Sequence, residues 1–253
     1  MSINNHLNKV LGDFLSKPSE LISNQQLTSC IDLTLLNEQA SPNDLSSINH
    51  LAARHQVAAL CVFPKDLVHC KKHSDIHLAT VINFPHGNQN LNECVTQINQ
   101  SRLNGVKEID YVIPFRAYLE GKEQEAINHA AAISTYCKEQ GLLLKVILET
   151  GEFSDLAMLY QLTNELLTLN IDFLKTSTGK TPQGASLSAV FTLLSALKDS
   201  RKNCGIKVSG GIKTVAQAKN YAALAQYFLQ KTIDKNWFRI GASSLLEELT
   251  KSN

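Results

Sequence analysis

The sequence predicts an α/β fold, a single (β/α)8 barrel with an extra N-terminal helix. Three observations favour this class. The chain of 253 residues has a typical length for such a barrel, short apolar runs alternate with helical periodicity along it, and the apolar runs number eight. We therefore predict one TIM-barrel domain over residues 1–253, with residues 1–28 as a helical extension packed on the barrel. An open, doubly wound sheet is the alternative, but it usually carries a glycine-rich turn after the first strand, and this sequence has none there.

The elements follow one another in a regular order. Apolar residues at helical spacing, including Val10 and Phe14, predict the N-terminal helix. The predicted strands are Cys30–Leu36, Val57–Phe63, Leu78–Phe84, Glu108–Ile113, Leu142–Glu149, Ile171–Thr176, Gly205–Ser209 and Phe238–Gly241. The predicted helices between them include Asn92–Leu103, Glu123–Gln140, Ser154–Leu169, Ala185–Lys198 and Val215–Ala225. Such alternation implies parallel strands with crossover helices, and no Pro-, Gly- or Ser-rich linker divides the chain.

Composition narrows the class of partner. Lys and Arg number 24 against 23 Asp and Glu, a net charge of +1, which argues against a nucleic-acid-binding arm. No apolar run approaches the roughly 18 residues of a membrane span, and the six cysteines are scattered without a CxxC pair, as reduced thiols would be. We expect a cytosolic protein with no nucleic-acid or membrane partner.

Charged residues inside apolar strands are the most informative feature of the sequence, because an unpaired buried charge is costly. In the fourth strand the apolar neighbours of Asp110 face the helices, so Asp110 points into the barrel. The same alternation places Lys145 and Glu149 of the fifth strand and Lys207 of the seventh inside. Lys175 ends the sixth strand. Four neighbouring strands thus direct charges towards the C-terminal mouth, where barrel active sites lie.

A group of buried lysines favours imine chemistry. Desolvation and neighbouring ammonium groups disfavour the charged form of a lysine, so its pKa falls and a nucleophilic amine becomes available. A carboxylate beside it can move protons. For a single lysine, a side chain that extends out to solvent at the strand end would be the simpler interpretation, but three on adjacent strands favour a site.

Glycine-rich turns follow the last two predicted strands. Gly210 and Gly211 come after the seventh strand, and Gly241, Ser243 and Ser244 come after the eighth. Loops at these two positions, each leading into a helix, are the usual phosphate site of a barrel. Two ordinary turns are the alternative interpretation.

A second cluster has the residue types of a metal site, namely His69, Cys70, His73 and His77. It falls in the outer connection between the second and third strands. We therefore predict no metal there.

Six segments together resemble a known family. They are Ile31–Thr34, Asn83–Asn88, Glu108–Asp110, Leu144–Gly151, Phe173–Lys180 and Gly241–Leu246. In this order they resemble deoxyribose-phosphate aldolase, the class I type that works through a lysine Schiff base. The Lys-Thr-Ser-Thr-Gly-Lys block within Phe173–Lys180 is the most specific of them.

The resemblance implies roles for the buried charges. Lys175 would form the imine, Lys207 would lower its pKa and share in proton transfer, and Asp110 would act as acid and base through water. Lys145 would hold Asp110 in position. Replacing Lys207 by leucine is expected to leave the fold intact and raise the pKa of Lys175.

The resemblance also implies a substrate, 2-deoxy-D-ribose 5-phosphate, cleaved reversibly to D-glyceraldehyde 3-phosphate and acetaldehyde in carbohydrate degradation, with no metal or organic cofactor. Asp32 and Thr34 would line the floor of the pocket. The residues expected to hold the substrate phosphate are Gly179, Lys180, Gly210, Gly211, Gly241, Ser243 and Ser244. Some family members use a C-terminal tyrosine in proton transfer. This sequence has no tyrosine after Tyr227, so we expect other groups to protonate the enamine.

Two other functions stay open at this point. One is a phosphosugar isomerase or transaldolase-like barrel, which would not release acetaldehyde. The other is a phosphosugar-binding protein without catalysis, although such a site has no need of a lysine with a lowered pKa. The expected partners are small phosphosugars and aldehydes, and a homodimer is the assembly we consider.

Overall fold

A closed barrel of eight parallel strands forms the centre of the molecule, and it confirms the predicted fold class. The computed structural model describes residues 3–15, 22–70 and 76–251. The strands are β1 Ile31–Leu35, β2 Ala59–Val62, β3 His77–Ile82, β4 Glu108–Val112, β5 Leu143–Ile147, β6 Phe173–Lys175, β7 Gly205–Ser209 and β8 Phe238–Ala242. Each strand pairs with the next along the chain, and β8 closes the barrel on β1.

Helices surround this barrel. They are α1 Ile3–Leu15, α2 Asn24–Ser29, α3 Pro42–His55, α4 Leu91–Leu103, α5 Phe115–Leu119, α6 Glu123–Glu139, α7 Leu156–Leu167, α8 Leu187–Ser200, α9 Val215–Leu229 and α10 Leu245–Lys251. In the part of the chain described, the link from β2 to β3 contains the 3-10 turn Pro64–His69 instead of an α-helix. None of the described helices has both the length and the apolarity that crossing a membrane requires.

Capping residues fix where several helices begin. Ser41 precedes α3, and its hydroxyl accepts the backbone N–H of Asp44 while the Asp44 carboxylate accepts the N–H of Ser41. Thr214 and Gln217 form the same reciprocal pair at α9. These bonds satisfy N–H groups that the first turn of a helix leaves without partners. They also set the end of each loop at the barrel mouth.

The helix α1 lies against α8 and α9. Val10 and Phe14 are half-buried against the core, and the ring of His6 lies 5.5 Å from that of Phe191 on α8. Phe191 in turn meets Phe228 on α9 edge to face at 5.1 Å. The predicted extension over residues 1–28 thus contains α1 and most of α2, while residues 1, 2 and 16–21 lie outside the described part of the chain.

Candidate active site

Three lysines converge on one carboxylate inside the barrel. Lys145 Nζ lies 2.8 Å from Asp110 Oδ1, while Lys175 Nζ and Lys207 Nζ lie 2.7 and 2.6 Å from Asp110 Oδ2. The four residues come from the neighbouring strands β4, β5, β6 and β7, and register places them side by side: Asp110 pairs with Lys145, and Lys175 with Lys207. The structure therefore brings together Asp110, Lys145, Lys175 and Lys207, the four charges that the sequence directs towards one mouth of the barrel.

A second layer of charge lies beside this cluster. Asp32 of β1 contacts Lys207 Nζ at 2.6 Å and Arg239 Nη1 at 2.6 Å. Glu108 of β4 contacts Lys145 Nζ at 2.5 Å and His77 Nδ1 at 2.6 Å, and Arg239 Nη2 lies 3.3 Å from it. Sequence reasoning missed Glu108, Arg239 and His77. Alternation could have found two of them, since Glu108 lies two positions before Asp110 and Arg239 stands between two outward apolar residues of β8.

The charges of this network balance only if one lysine is neutral. The carboxylates are Asp32, Glu108 and Asp110, and the cations are Lys145, Lys175, Lys207 and Arg239, three against four. Uncompensated charge is very costly without water. The excess of one positive charge thus favours loss of a proton from one of the three lysines.

The pKa directions differ among the three lysines. Burial, helped by the charge of Lys207, lowers the pKa of Lys175 below its usual value despite the attraction of Asp110. Burial also disfavours the charged forms of Lys145 and Lys207, but their carboxylate partners outweigh it and raise the pKa of both. For Asp110, burial opposes ionisation, yet the three lysines hold the pKa of its carboxyl well below the usual value. Lys175 is therefore the amine that becomes neutral most readily.

A pocket of about 390 Å³ opens above Lys175 at the C-terminal ends of the strands. The Lys175 side chain keeps 4% of its surface exposed, while those of Lys145 and Lys207 keep none. Of the three lysines, Lys175 is thus the one that reaches the pocket. The pocket is lined by Thr34, Leu35, Leu36, Asn37, Lys175, Thr178, Gly179, Lys180, Ser209, Gly210, Gly211, Ile212, Lys213, Gly241, Ala242 and Ser243.

Most of the residues expected to bind phosphate lie in this lining. Ser244 does not: it lies exposed at the start of α10, next to Ser243. Thr34 lines the pocket as expected, but Asp32 is fully buried and contacts Lys207 instead of the pocket. Lys180 donates from Nζ to the backbone carbonyl of Leu36, which joins the loops after β6 and β1.

The turn after β7 needs glycine. Gly210 has a φ of +92°, a backbone conformation that is unfavourable in free energy for any L-residue with a Cβ. A Cβ at this position would also lie 2.9 Å from the Cα of Gly184, in the loop that follows β6. These two loops therefore touch backbone to backbone at the edge of the pocket.

The histidine and cysteine cluster does not form a metal site in the residues described. His77 is the solvent-facing partner of Glu108, and Cys70 Sγ lies 3.7 Å from the carbonyl of Asp66. His73 lies outside the described residues. Nowhere among residues 3–15, 22–70 and 76–251 do three potential ligands from His, Cys, Asp and Glu come together.

Comparison with known proteins identifies relatives of the whole barrel. A family model described as DeoC/LacD family aldolase matches residues 27–251. A deoxyribose-phosphate aldolase from Agrobacterium fabrum is 35% identical over 232 residues, covering 87% of this chain and 88% of that protein.

Solved structures share the fold. A deoxyribose-phosphate aldolase from Aeropyrum pernix, described as tetrameric, superposes with a TM-score of 0.77 at 25% identity, covering 97% of this chain and 99% of that one. A candidate deoxyribose-phosphate aldolase from Coccidioides immitis superposes with a TM-score of 0.82 at 20% identity, covering 100% and 98%. The match to the family model contains all eight strands of the barrel, and the chain belongs to the DeoC/LacD family of aldolases.

Proposed function

We propose that this aldolase cleaves 2-deoxy-D-ribose 5-phosphate reversibly to D-glyceraldehyde 3-phosphate and acetaldehyde, through a Schiff base on Lys175. One observation carries the proposal. A lysine with a lowered pKa lies between a buried carboxylate, 2.7 Å away, and a glycine-lined pocket large enough for a sugar phosphate. The aldolase relatives support the same reaction class.

Imine formation is the first step. The neutral amine of Lys175 attacks the C1 aldehyde of the open-chain sugar, and loss of one water with uptake of one proton from solvent leaves a protonated imine. The balance of buried charge favours this step, because the amine that reacts is the group whose proton the network disfavours. The imine nitrogen then supplies the electron sink, so the chemistry requires no metal or organic cofactor.

Carbon–carbon cleavage follows. A water bound to Asp110 accepts the C3-hydroxyl proton and passes it to the carboxylate, and the electrons of the C2–C3 bond move towards the imine nitrogen. D-glyceraldehyde 3-phosphate departs, and an enamine remains on Lys175. In the free enzyme the surrounding lysines hold the pKa of Asp110 low, so its carboxylate is a weak base. Asp110 Oδ2 accepts from both Lys175 and Lys207, which places the proton relay beside the imine nitrogen. Lys207, bound to the same oxygen, shares in the return of a proton to C2, and hydrolysis releases acetaldehyde.

The substrate phosphate, at the other end of the sugar from the aldehyde, lies among the loops after β6, β7 and β8. Gly210 and Gly211 bring backbone close to the pocket, and Lys180 adds positive charge at its rim. This arrangement follows the usual position of phosphate in a (β/α)8 barrel.

The biological setting belongs to the same proposal. Release of a triose phosphate and acetaldehyde suits a cytosolic enzyme of deoxyribose phosphate catabolism, a lyase of carbohydrate degradation. Six free thiols, four of them buried, are in keeping with a reducing compartment. The homodimer stays a prediction, since the Aeropyrum pernix relative is described as a tetramer.

Borohydride trapping tests the function directly. The protein is incubated with 2-deoxy-D-ribose 5-phosphate, reduced, digested and mapped by mass spectrometry. We expect a two-carbon adduct on Lys175, which reports imine formation and cleavage together. An adduct on another lysine would refute the assignment of Lys175. Absence of any adduct on the folded protein would favour a phosphosugar-binding protein without catalysis.

A further inference from the structure

Glu149 is a buried carboxylate for which the reaction above has no use. It follows β5 at the barrel mouth, its side chain is fully buried, and its φ is +54°. This left-handed conformation is uncommon for a residue with a Cβ, and such strain persists only where the surroundings hold it. Burial and backbone strain at one position indicate that the contacts of this carboxylate matter.

Those contacts all lead to the loop after β6. The backbone N–H of Thr178 lies 3.3 Å from both carboxylate oxygens of Glu149, and the Thr178 hydroxyl donates to Oε2. The hydroxyl of Thr181 donates to Oε1 at 3.2 Å. Next to Glu149, the N–H of Thr150 donates to the carbonyl of Thr176 at 2.8 Å. One carboxylate therefore binds the loop of residues 176–181 at two points along its length.

Hydrogen bonds, and not ion pairs, hold this group. Among the described residues no lysine, arginine or histidine lies within 4.0 Å of the Glu149 carboxylate. Burial raises the pKa of Glu149 above its usual value, although the Thr178 and Thr181 bonds and the charge of Lys175 act against this. Contacts with neutral donors alone make the geometry of the loop, more than the charge of the carboxylate, the property that Glu149 controls.

The same loop forms one wall of the pocket. Thr178, Gly179 and Lys180 line the cavity beside Lys175, and Lys180 Nζ is fixed on the carbonyl of Leu36. The loop continues to Gly184, whose packing on Gly210 brings it against the turn after β7. A change in the anchoring of residues 176–181 is thus transmitted to both sides of the region assigned to the phosphate.

We propose that Glu149 is a positioning residue that sets the affinity of the pocket for the phosphate end of the substrate by fixing the loop of residues 176–181. This inference rests on the proposed function for the identity of the substrate, but the anion site it concerns can be measured without turnover. Glu149 touches neither Lys175 nor Asp110 in the structure, and its charge is only a minor influence on Lys175, so it acts mainly on binding.

The test compares Glu149→Gln with a matched control, Glu152→Gln, which makes the same change on an exposed residue three positions along. Three quantities are measured: the Kd for inorganic phosphate by calorimetry, the KM and kcat for 2-deoxy-D-ribose 5-phosphate, and the rate of borohydride trapping with acetaldehyde, which has no phosphate. For Glu149→Gln we expect the Kd and the KM to rise about tenfold, equivalent to about 1.4 kcal/mol, with kcat and acetaldehyde trapping within about twofold of the parent. Glu152→Gln should leave all of them unchanged.

The sign of the change separates positioning from electrostatics. Removal of a negative charge near an anion site would by charge alone strengthen phosphate binding. Tighter or unchanged binding of phosphate by Glu149→Gln would therefore overturn the proposal, and so would an equal loss of acetaldehyde trapping, which would place Glu149 on the chemistry of Lys175.

A milder variant covers the case in which Glu149→Gln does not fold. Thr181→Val removes one donor at a half-exposed position outside the pocket, and we expect a smaller rise of the phosphate Kd in the same direction. An unchanged Kd in Thr181→Val would count against the proposal. If the parent protein binds phosphate but gives no Lys175 adduct, the proposed reaction fails while the Kd comparison still decides the role of Glu149.

Discussion

Replacing Lys207 by leucine should move the reactivity of Lys175 to higher pH. The two ammonium groups share Asp110 Oδ2, at 2.6 and 2.7 Å, so their nitrogens are at most about 5 Å apart. At an effective dielectric constant of about 20, like charges at this separation repel by about 3 kcal/mol. Loss of this repulsion stabilises the protonated form of Lys175, and the neutral amine at pH 7 becomes about 100-fold less abundant.

Trapping by borohydride with acetaldehyde, followed from pH 6 to pH 10, measures this shift. We expect the midpoint of the rate profile of Lys207→Leu to lie at higher pH, with rates approaching those of the parent at the alkaline end. Lys202→Leu makes the same substitution on an exposed lysine and should keep the parent profile. A uniform drop at every pH with an unchanged midpoint would refute the reasoning, since it would mean that Lys207 does not act through the charge of Lys175.

The structure adds a loss of stability to the expectation that this substitution leaves the fold intact. Lys207 is fully buried and pairs with both Asp32 and Asp110, and removal of one partner from a buried ion pair typically costs about 3–5 kcal/mol. Each carboxylate keeps another cation, Arg239 and Lys145 respectively, so a folded but less stable variant is expected. Urea unfolding should therefore precede the kinetic comparison.

Three further outcomes follow from the same network. Lys175→Met should form no borohydride-trapped adduct, and its urea unfolding midpoint should be no lower than that of the parent, because the site disfavours the charge of Lys175. An adduct on another lysine of this variant would contradict the assignment of Lys175. Burial opposes ionisation of Glu108, but its partners Lys145, His77 and Arg239 outweigh burial and lower its pKa to about 2. The ionised Glu108 therefore contributes fully to stability above pH 4.5, and about 3 kcal/mol of the free energy of unfolding should disappear as the pH falls towards 2. A flat profile of stability against pH would be evidence against this pairing. Gly210→Ala should lower stability by about 2 kcal/mol and weaken phosphate binding, as measured by thermal unfolding and calorimetry, and a variant of parental stability would show that the loops after β6 and β7 can separate.

The fold could be predicted from the sequence because short apolar runs mark the strands and apolar residues at helical spacing mark the helices between them. Each predicted strand overlaps the observed one, and the largest error at a strand start is two residues. The sixth strand was predicted from Ile171 but begins at Phe173, because the Asp172 side chain occupies the Leu144 N–H that a longer ladder would have used. The helix predicted to end at Ala225 runs to Leu229, since no residue in between interrupts a helix.

The sequence predicted Asp110 and the three lysines around it but missed Glu108 and Arg239 beside them. Asp110, Lys145 and Lys207 were found because each is a charge between outward apolar residues of its own strand, and Lys175 because it ends β6. Alternation places Glu108 and Arg239 inside the barrel, but the partners of Arg239, Asp32 and Glu108, come from strands that are distant along the chain. Barrel closure alone brings β8 beside β1, so pairings of this kind follow from the completed topology and not from any local pattern.

Full burial of the charge network gives the two ends of the site different responses to dissolved salt. Screening by ions acts on charges that water reaches, and the side chains of Asp110, Lys145 and Lys207 have no exposed surface. Lys180 and Lys213, at the rim of the pocket, are exposed. Raising the ionic strength therefore weakens capture of an anionic substrate while leaving the reactivity of the buried amine nearly unchanged, so affinity and chemistry in this barrel can vary independently of each other.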